Sequence, residues 1–265
     1  MKKRLDLLLV ELGLAKSRAL AQQLISNGLV TLDGRALTKP GQELESSVAA
    51  SLKILENNLN RYVSRGGLKL EGALERTSLE VRDKIALDVG LSTGGFADCL
   101  LQRGAARVVG VDVGQGQLAD RLKRDPRVTS LESINARHLT RDLLAPHVPA
   151  SGFDLAVIDV SFISLELILP QLPPLLAPHG YILGLVKPQF EAGRAALGKS
   201  GIVKDPKAFE EVRKKIYKIC ESLLLDVEDY FESSIQGSDG NQEFFVLARR
   251  THDGGVDPGG LPKGT

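Results

Sequence analysis

The chain has 265 residues, 43% of them hydrophobic and 25% charged, which suits a globular protein built from a small domain and a medium one. With 34 Lys+Arg against 33 Asp+Glu, no overall basic field announces a polyanionic partner. The two cysteines, Cys99 and Cys220, stand far apart without metal-ligand spacing, which excludes a zinc cluster or disulfide framework and points to the cytoplasm. Met1-Lys2-Lys3-Arg4 leads into a stretch broken by Asp6 and Glu11 and does not read as a secretory leader. The most apolar region, Leu165 to Val186, is interrupted by Pro170, Pro173, Pro174, Pro178 and His179. It reads as a helix, a turn and a strand, and no membrane span is expected.

Residues 4–41 have a pattern of their own. Leu5, Leu8, Leu9 and Leu12 recur at helical spacing and stop at Gly13. Ser17 then reads as the N-cap of a second helix, with Leu20, Ala21, Leu24 and Ile25 on one face and Gly28 closing it. An extended run, Leu29 to Arg35, carries an Asp33-Gly34 turn and predicts a hairpin. Residues 1–65 hold ten Lys+Arg and six Asp+Glu, a modest local excess of base that a solvated face also explains. The segment 56–65 is polar and poorly periodic and reads as a connector. A helix follows near Gly67–Glu75. From Ile85 strands and helices alternate, which predicts a mostly parallel sheet covered on both faces. The strands are placed at Ile85–Val89, Val108–Val111, Val128–Leu131, Phe153–Ile158 and Tyr181–Val186. A helix over Pro206–Leu223 precedes a final pair of strands near Leu225–Phe231 and Phe244–Ala248. Residues 251–265 are rich in Gly and Pro without periodicity and read as a disordered tail.

The strongest chemical signal is the run from Ala86 to Phe96, a buried strand entering a glycine-rich turn and then a helix. The spacing Gly90-x-x-x-Gly94-Gly95 is not the G-x-G-x-x-G of a dinucleotide site, and the Lys of a phosphate loop is absent. Asp88 is the acid expected beside a cationic methionine moiety. Asp112 ends the second strand, where an acid can accept both hydroxyls of an adenosine ribose. The combination points to S-adenosylmethionine ahead of NAD, with a bare strand–helix turn as the remaining reading.

Asp88-Val89-Gly90-x-Ser92-Thr93-Gly94-Gly95-Phe96, Val111-Asp112-Val113-Gly114-x-Gly116-Gln117-Leu118 and Asp159-Val160-Ser161-Phe162-Ile163-Ser164 together resemble the TlyA (haemolysin A) family. So do Tyr62 to Leu70 and Val186-Lys187-Pro188-Gln189-Phe190-Glu191, and the resemblance runs from about residue 4 to residue 250. It departs only at Leu91 and Ala97, where Ala and Thr are expected. The resemblance implies an α/β fold: a Rossmann-like S-adenosylmethionine-dependent methyltransferase of FtsJ type, with a seven-stranded, mostly parallel sheet and a small α+β RNA-binding domain before it. The expected layout is an RNA-binding domain at 1–60, a linker at 61–65, the methyltransferase domain at 66–250 and the tail at 251–265. It further implies transfer of a methyl group to a ribose 2′-hydroxyl of ribosomal RNA, with ribosomal subunits as partners and neither membrane nor DNA. The cofactor contacts are expected at Asp88, Gly90, Ser92, Thr93, Gly94, Gly95, Phe96, Asp112, Val113 and Asp159; no metal is expected.

FtsJ-type enzymes carry a Lys-Asp-Lys-Glu set, which by motif falls here on Lys69, Asp159, Lys187 and Glu243. Asp159 and Lys187 directly follow apolar strands, so they belong at the carboxyl edge of the sheet. Glu243 opens the last strand and shares that edge if the strand runs antiparallel. Only a neutral amine can take the proton of the attacking hydroxyl, and a lysine's reference pKa is about 10.4. A neighbouring cation and partial burial move such an amine toward neutrality, which is why two lysines are expected together, with Lys187 as general base. RNA contacts are expected at Arg4, Lys16, Ser17 and Arg18, at the starts of two short helices. Arg65 and the loop from Lys199 to Lys204 extend that track. Trp is absent and aromatic residues make up 5%, so recognition through phosphates and RNA shape is expected. The alternative is a non-catalytic RNA-binding ribosome assembly factor that keeps the methyltransferase fold. A membrane-active haemolysin would need a span or a strongly basic amphipathic helix. An amino-methylating enzyme would need an Asn/Asp-Pro-Pro-aromatic turn where Asp159-Val160-Ser161-Phe162 stands.

Overall fold

The computed structural model describes residues 2–26, 28–55, 61–193, 196–198, 201–237 and 240–251. The expected tail beyond Thr251, residues 56–60 of the expected connector, and Lys199 and Ser200 of the basic loop lie outside the described residues. The chain forms two compact units, one ending at Leu68 and one beginning at Lys69.

In the first unit, strand β1 (Lys2–Arg4) pairs antiparallel with β4 (Glu43–Glu45) and sets Arg4 opposite Glu43. Helices α1 (Leu5–Glu11) and α2 (Arg18–Ser26) bury Leu5, Leu8 and Leu9 against Ala21, Leu24 and Ile25. The Ser17 hydroxyl accepts the Leu20 N–H at 3.2 Å, as an N-cap does. Strands β2 (Val30–Leu32) and β3 (Arg35–Leu37) form the expected hairpin, with Asp33 at φ 49° and Gly34 at φ 81° in the left-handed pair of a tight turn. Strand β5 (Leu52–Ile54) adds to the other edge of β2. The sequence pattern gives no sign of β1, β4 or β5, because three residues are too few to show an alternation.

Asp6, the second residue of α1, is fully buried. Its carboxylate accepts from Arg4 Nε and Nη2, both at 3.0 Å, from Arg18 Nε at 3.0 Å and from Gln22 Nε2 at 2.9 Å. The Arg4 hydrogen bonds above all, with Gln22 and Arg18, hold the Asp6 carboxyl well below the usual carboxylate range despite its burial. Two arginines expected at RNA are therefore also the counter-ions of a buried acid. Tyr62, in the expected linker, is buried. Its carbonyl accepts from Lys16 Nζ at 3.2 Å, and its ring lies where a Cβ on Gly67 would stand, 2.3 Å from the Tyr62 Cγ.

The second unit is built on a seven-stranded sheet. Its strands are β6 (Ile85–Val89), β7 (Arg107–Val111), β8 (Val128–Leu131), β9 (Phe153–Ile158), β10 (Leu176–Val186), β11 (Leu225–Glu232) and β12 (Phe244–Arg250). The order is β11-β12-β10-β9-β6-β7-β8, and only β12 runs against the rest. The central strands β6, β7, β9 and β10 are buried on both faces and read as near-continuous apolar runs, which is why their positions show in the sequence. Preceding the sheet is helix α3 (Gly66–Thr77); α4 (Gly95–Gln102) follows β6, and α5 (Pro206–Ser222) precedes β11. The Asp205 side chain caps α5 by accepting the Lys207 N–H, and Val212, Ile216 and Cys220 form its buried stripe. The helix expected after Leu165 is instead three 3₁₀ turns, Leu165–Leu167, Leu169–Gln171 and Pro173–Leu175. Pro170, Pro173 and Pro174 lack the N–H an α-helix needs and clash with the preceding turn. Among the described residues no helix is long and apolar enough to cross a membrane.

One prediction concerns Asp6. Hydrogen bonds to a charged group contribute about 1.5–3 kcal/mol each, so Asp6→Ala should destabilise the first unit by about that much overall, the half-exposed arginines recovering water. Because the folded carboxyl sits below its unfolded value, this stabilisation is complete above about pH 4 and is lost as pH falls further. Urea titrations of wild type and variant at neutral and acid pH check both, and equal midpoints at neutral pH would contradict the reading.

Candidate active site

Strand order reverses at β6 and β9: β7 and β8 lie to one side of β6, and β10 lies beyond β9 on the other. Side chains at the carboxyl ends of these strands meet at that switch point. A cleft of about 570 Å³ opens there, between Gly90 and Ser92, Asp112 and Val113, and Asp159. Its size falls in the ordinary range for small-molecule sites.

The glycine turn fits close packing of backbone. Gly90 has φ 94°, and a Cβ there would stand 2.5 Å from the Asp159 carbonyl oxygen, so the turn after β6 and the end of β9 touch through main chain alone. Gly90 and Leu91 both donate their N–H to the Val111 carbonyl, at 2.9 and 3.1 Å. Leu91 is buried, and its branched end fills the space above Gly110, where a Cβ would meet it at 2.6 Å. The departure at Leu91 is thus matched by a glycine on the neighbouring strand. Asp112 accepts the Ser92 N–H at 2.7 Å with one oxygen and the Gly114 N–H at 2.7 Å with the other. The carboxylate is held in place at the cleft wall and keeps lone pairs for a diol.

Of the ten residues expected at a cofactor, Gly90, Ser92, Asp112, Val113 and Asp159 line the cleft. Thr93, Gly94 and Gly95 shape the turn and the start of α4 behind it: the Thr93 carbonyl accepts the Ala119 N–H, and Gly94 is the N-cap at φ 92°. Phe96 turns the other way, into the core, where it stacks on Phe245 at 6.4 Å. Asp88 is fully buried beneath the cleft. Sequence reasoning missed Gln117, Ile134, Asn135 and Ala136, which also line it. Ile134 to Ala136 follow β8, so the carboxyl-edge argument already used for β6 and β7 reaches them. Phe162, at the same wall, is 88% exposed with φ 63°, an unusual conformation for an aromatic residue.

Lys69, Asp159, Lys187 and Glu243 form two ion pairs. Lys187 Nζ lies 2.6 Å from Asp159 Oδ1, and Lys69 Nζ is paired with Glu243 Oε2. Lys69, Lys187 and Glu243 are buried. Val186 is paired with Phe244 across β10 and β12, so Lys187, one step beyond, and Glu243, one step before, share the same edge. Lys187 Nζ also donates to Ser161 Oγ at 2.9 Å. Among the described residues no His/Cys/Asp/Glu group could hold a metal. Both cysteines are buried, and burial pushes the Cys220 thiol up to about 11.

Burial, reinforced by the nearby Asp159, pushes the Asp88 carboxyl up to about 8. An unfolded aspartate ionises near 3.9. Between those values the folded chain keeps a proton that the unfolded chain releases, so stability falls as pH rises through the window. Asp88→Asn should flatten that decline. Thermal midpoints of both proteins at about pH 5 and about pH 8 measure it, and parallel declines would exclude Asp88 as the source.

The profile of the FtsJ-like methyltransferase family matches residues 62–250, and that of the S4 domain matches residues 3–48. The chain is 46% identical over 245 residues to YqxC of Bacillus subtilis, covering 92% of this chain and 85% of that protein. It is 40% identical over 258 residues to the 16S/23S rRNA (cytidine-2′-O)-methyltransferase TlyA of Mycobacterium tuberculosis, covering 97% of this chain and 94% of the relative. A solved structure from Streptococcus thermophilus superposes with a TM-score of 0.72 at 42% identity, over 94% of this chain and 89% of that one. The chain belongs to the FtsJ-like methyltransferase family and carries an S4 domain at its N-terminal end.

Proposed function

We propose that this chain methylates a ribose 2′-hydroxyl of ribosomal RNA with S-adenosylmethionine, acting on ribosomal subunits in the cytoplasm, with Lys187 taking the hydroxyl proton. The observation that carries the mechanism is the pair of lysine–carboxylate contacts at one sheet edge, both lysines buried and one pair sharing Asp159 with the cleft. The Mycobacterium tuberculosis relative is named for the same reaction, 2′-O-methylation of rRNA.

The cleft residues fit the methyl donor. Asp112 would hold its ribose hydroxyls, Gly90 and Ser92 would back its methionine part, and Val113, Ile134 and Ala136 would give apolar walls for adenine. When bound, it supplies an electrophilic methyl carbon attached to a sulfonium. The chain must then orient the RNA hydroxyl and remove its proton as the oxygen attacks. Lys187 Nζ is placed for this beside the cleft, oriented by Asp159. Lys69 and Glu243 would orient the ribose from the adjoining register position. Fixing both reactants in one geometry replaces the entropy loss of a bimolecular encounter.

RNA would be held by the first unit through Arg4, Lys16, Ser17 and Arg18, with Arg65 farther along the chain. The Arg4 and Arg18 side chains keep 43% and 54% exposure while bonded to Asp6, so their outer N–H groups can reach phosphates. Ser17 Oγ accepts the Leu20 N–H at the helix cap, which leaves its O–H to donate to a phosphate.

General-base catalysis is worth roughly 10²–10⁴-fold, so Lys187→Ala should lower methyl transfer to ribosomal particles by at least about 100-fold with cofactor affinity kept. Asp112→Ala should instead weaken cofactor binding by about 10–100-fold, the equivalent of one or two charge-assisted hydrogen bonds. Tritiated methyl transfer and calorimetric cofactor titration read the two separately. Full activity of Lys187→Ala removes the base. Cofactor binding without transfer by the wild type, on any ribosomal particle, favours the non-catalytic assembly factor.

A further inference from the structure

The proton acceptor has a second anchor that the Lys-Asp-Lys-Glu set does not include. Lys187 is buried, yet its Nζ reaches the hydroxyl of Ser161, an exposed residue that also lines the cleft. Ser161 lies two residues after Asp159, so the same turn after β9 supplies both oxygens around Nζ: Asp159 Oδ1 at 2.6 Å and Ser161 Oγ at 2.9 Å. The turn is itself held from behind. The Glu191 carboxylate accepts from the Ser164 hydroxyl at 2.6 Å and from the Leu165 N–H at 2.7 Å, and Lys215 Nζ lies 3.3 Å from it. Ser161 therefore sits on a fixed loop with Lys187 bonded to it.

Tetrahedral nitrogen gives this arrangement a chemical meaning. A neutral lysine amine has two N–H bonds and one lone pair. With one N–H held by Ser161 and the ion-paired Asp159 carboxylate drawing the other to its side, the lone pair is left with a single direction. We propose that Ser161 is a positioning residue for Lys187, accepting one amine N–H so that the Nζ lone pair points at the RNA hydroxyl. As the hydroxyl O–H bond breaks, an N–H bond forms on that lone pair, and both the Ser161 hydrogen bond and the Asp159 ion pair survive the transfer. Asp159 alone would leave the amine free to rotate about the Cε–Nζ bond, with the lone pair aligned only part of the time.

The role rests on Lys187 being the proton acceptor, and the test separates the two claims. Full-length wild type, Lys187→Ala, Ser161→Ala and Ser161→Thr are compared on ribosomal particles from a strain lacking the protein, with the methyl donor varied. Misalignment of a catalytic group costs up to about 100-fold, so Ser161→Ala should lose about 10–100-fold in kcat with KM for the methyl donor unchanged. Ser161→Thr, which keeps the hydroxyl, should recover most of that loss. An unchanged kcat in Ser161→Ala beside an inert Lys187→Ala overturns the positioning role and leaves the base in place. A loss confined to KM for the methyl donor also overturns it, making Ser161 a cofactor contact. An active Lys187→Ala overturns the base, and the role of Ser161 with it.

Discussion

The antiparallel pairing of Val186 with Phe244 brings Lys187 and Glu243 to one edge of the sheet, where the proposed chemistry would occur. In a sheet whose other strands are parallel, the carboxyl edge collects side chains from the strand ends, and a parallel β12 would have its beginning, with Glu243, at the opposite edge. Because β12 runs backward, its beginning lies at the carboxyl edge instead, and Glu243 arrives beside Lys187. A slip of β12 by one residue in that register would turn Glu243 to the other face of the sheet. The glycine turn after β6 then brings the cofactor wall within main-chain contact of the turn after β9. Cleft and lysines become parts of one edge.

Burying Lys69, Lys187 and Glu243 at such an edge has a cost that hydrophobic replacements would avoid. Buried ion pairs often contribute little net stability, since desolvation offsets their attraction, while removing one partner leaves a costly orphan. In the proposed reaction they would hold an amine in a set direction beside a desolvated hydroxyl. The buried Asp6 in the first unit follows the same electrostatic rule for a different end. One acid in the interior bonds two arginines that stay partly exposed at the surface, which in the proposed function would lower the entropy cost of presenting them to a polyanion.

Much of this was legible in the sequence. The central strands β6, β7, β9 and β10 are apolar runs bounded by turn residues, and their ends identify Asp112, Asp159 and Lys187 as edge residues. Glu243 was legible only conditionally, because strand direction is a tertiary fact. The proline-broken segment after Leu165 kept its apolar content but not its expected helix, since three prolines outweigh the spacing of the leucines. Phe96 followed the motif in sequence and the core in space: on a helix that begins at Gly95, its face is turned by the helical period toward Phe245. Asp6 could not be foreseen, because an acid in the first turn of a helix is ordinarily solvated and favourable there. Its burial depends on Arg18 and Gln22 from the next helix. Ser161 carries no signal of its own; a serine in a turn becomes notable only when a buried lysine is found bonded to it.

The central claim is that the acceptor is a ribose hydroxyl of ribosomal RNA. The most direct measurement is to incubate the full-length protein with methyl-labelled S-adenosylmethionine and ribosomal particles from a strain lacking it, then digest the RNA to nucleosides and identify the labelled species by mass spectrometry. The account predicts label in a 2′-O-methylated nucleoside. Label in a base-methylated nucleoside, or in ribosomal protein with none in RNA, would contradict it.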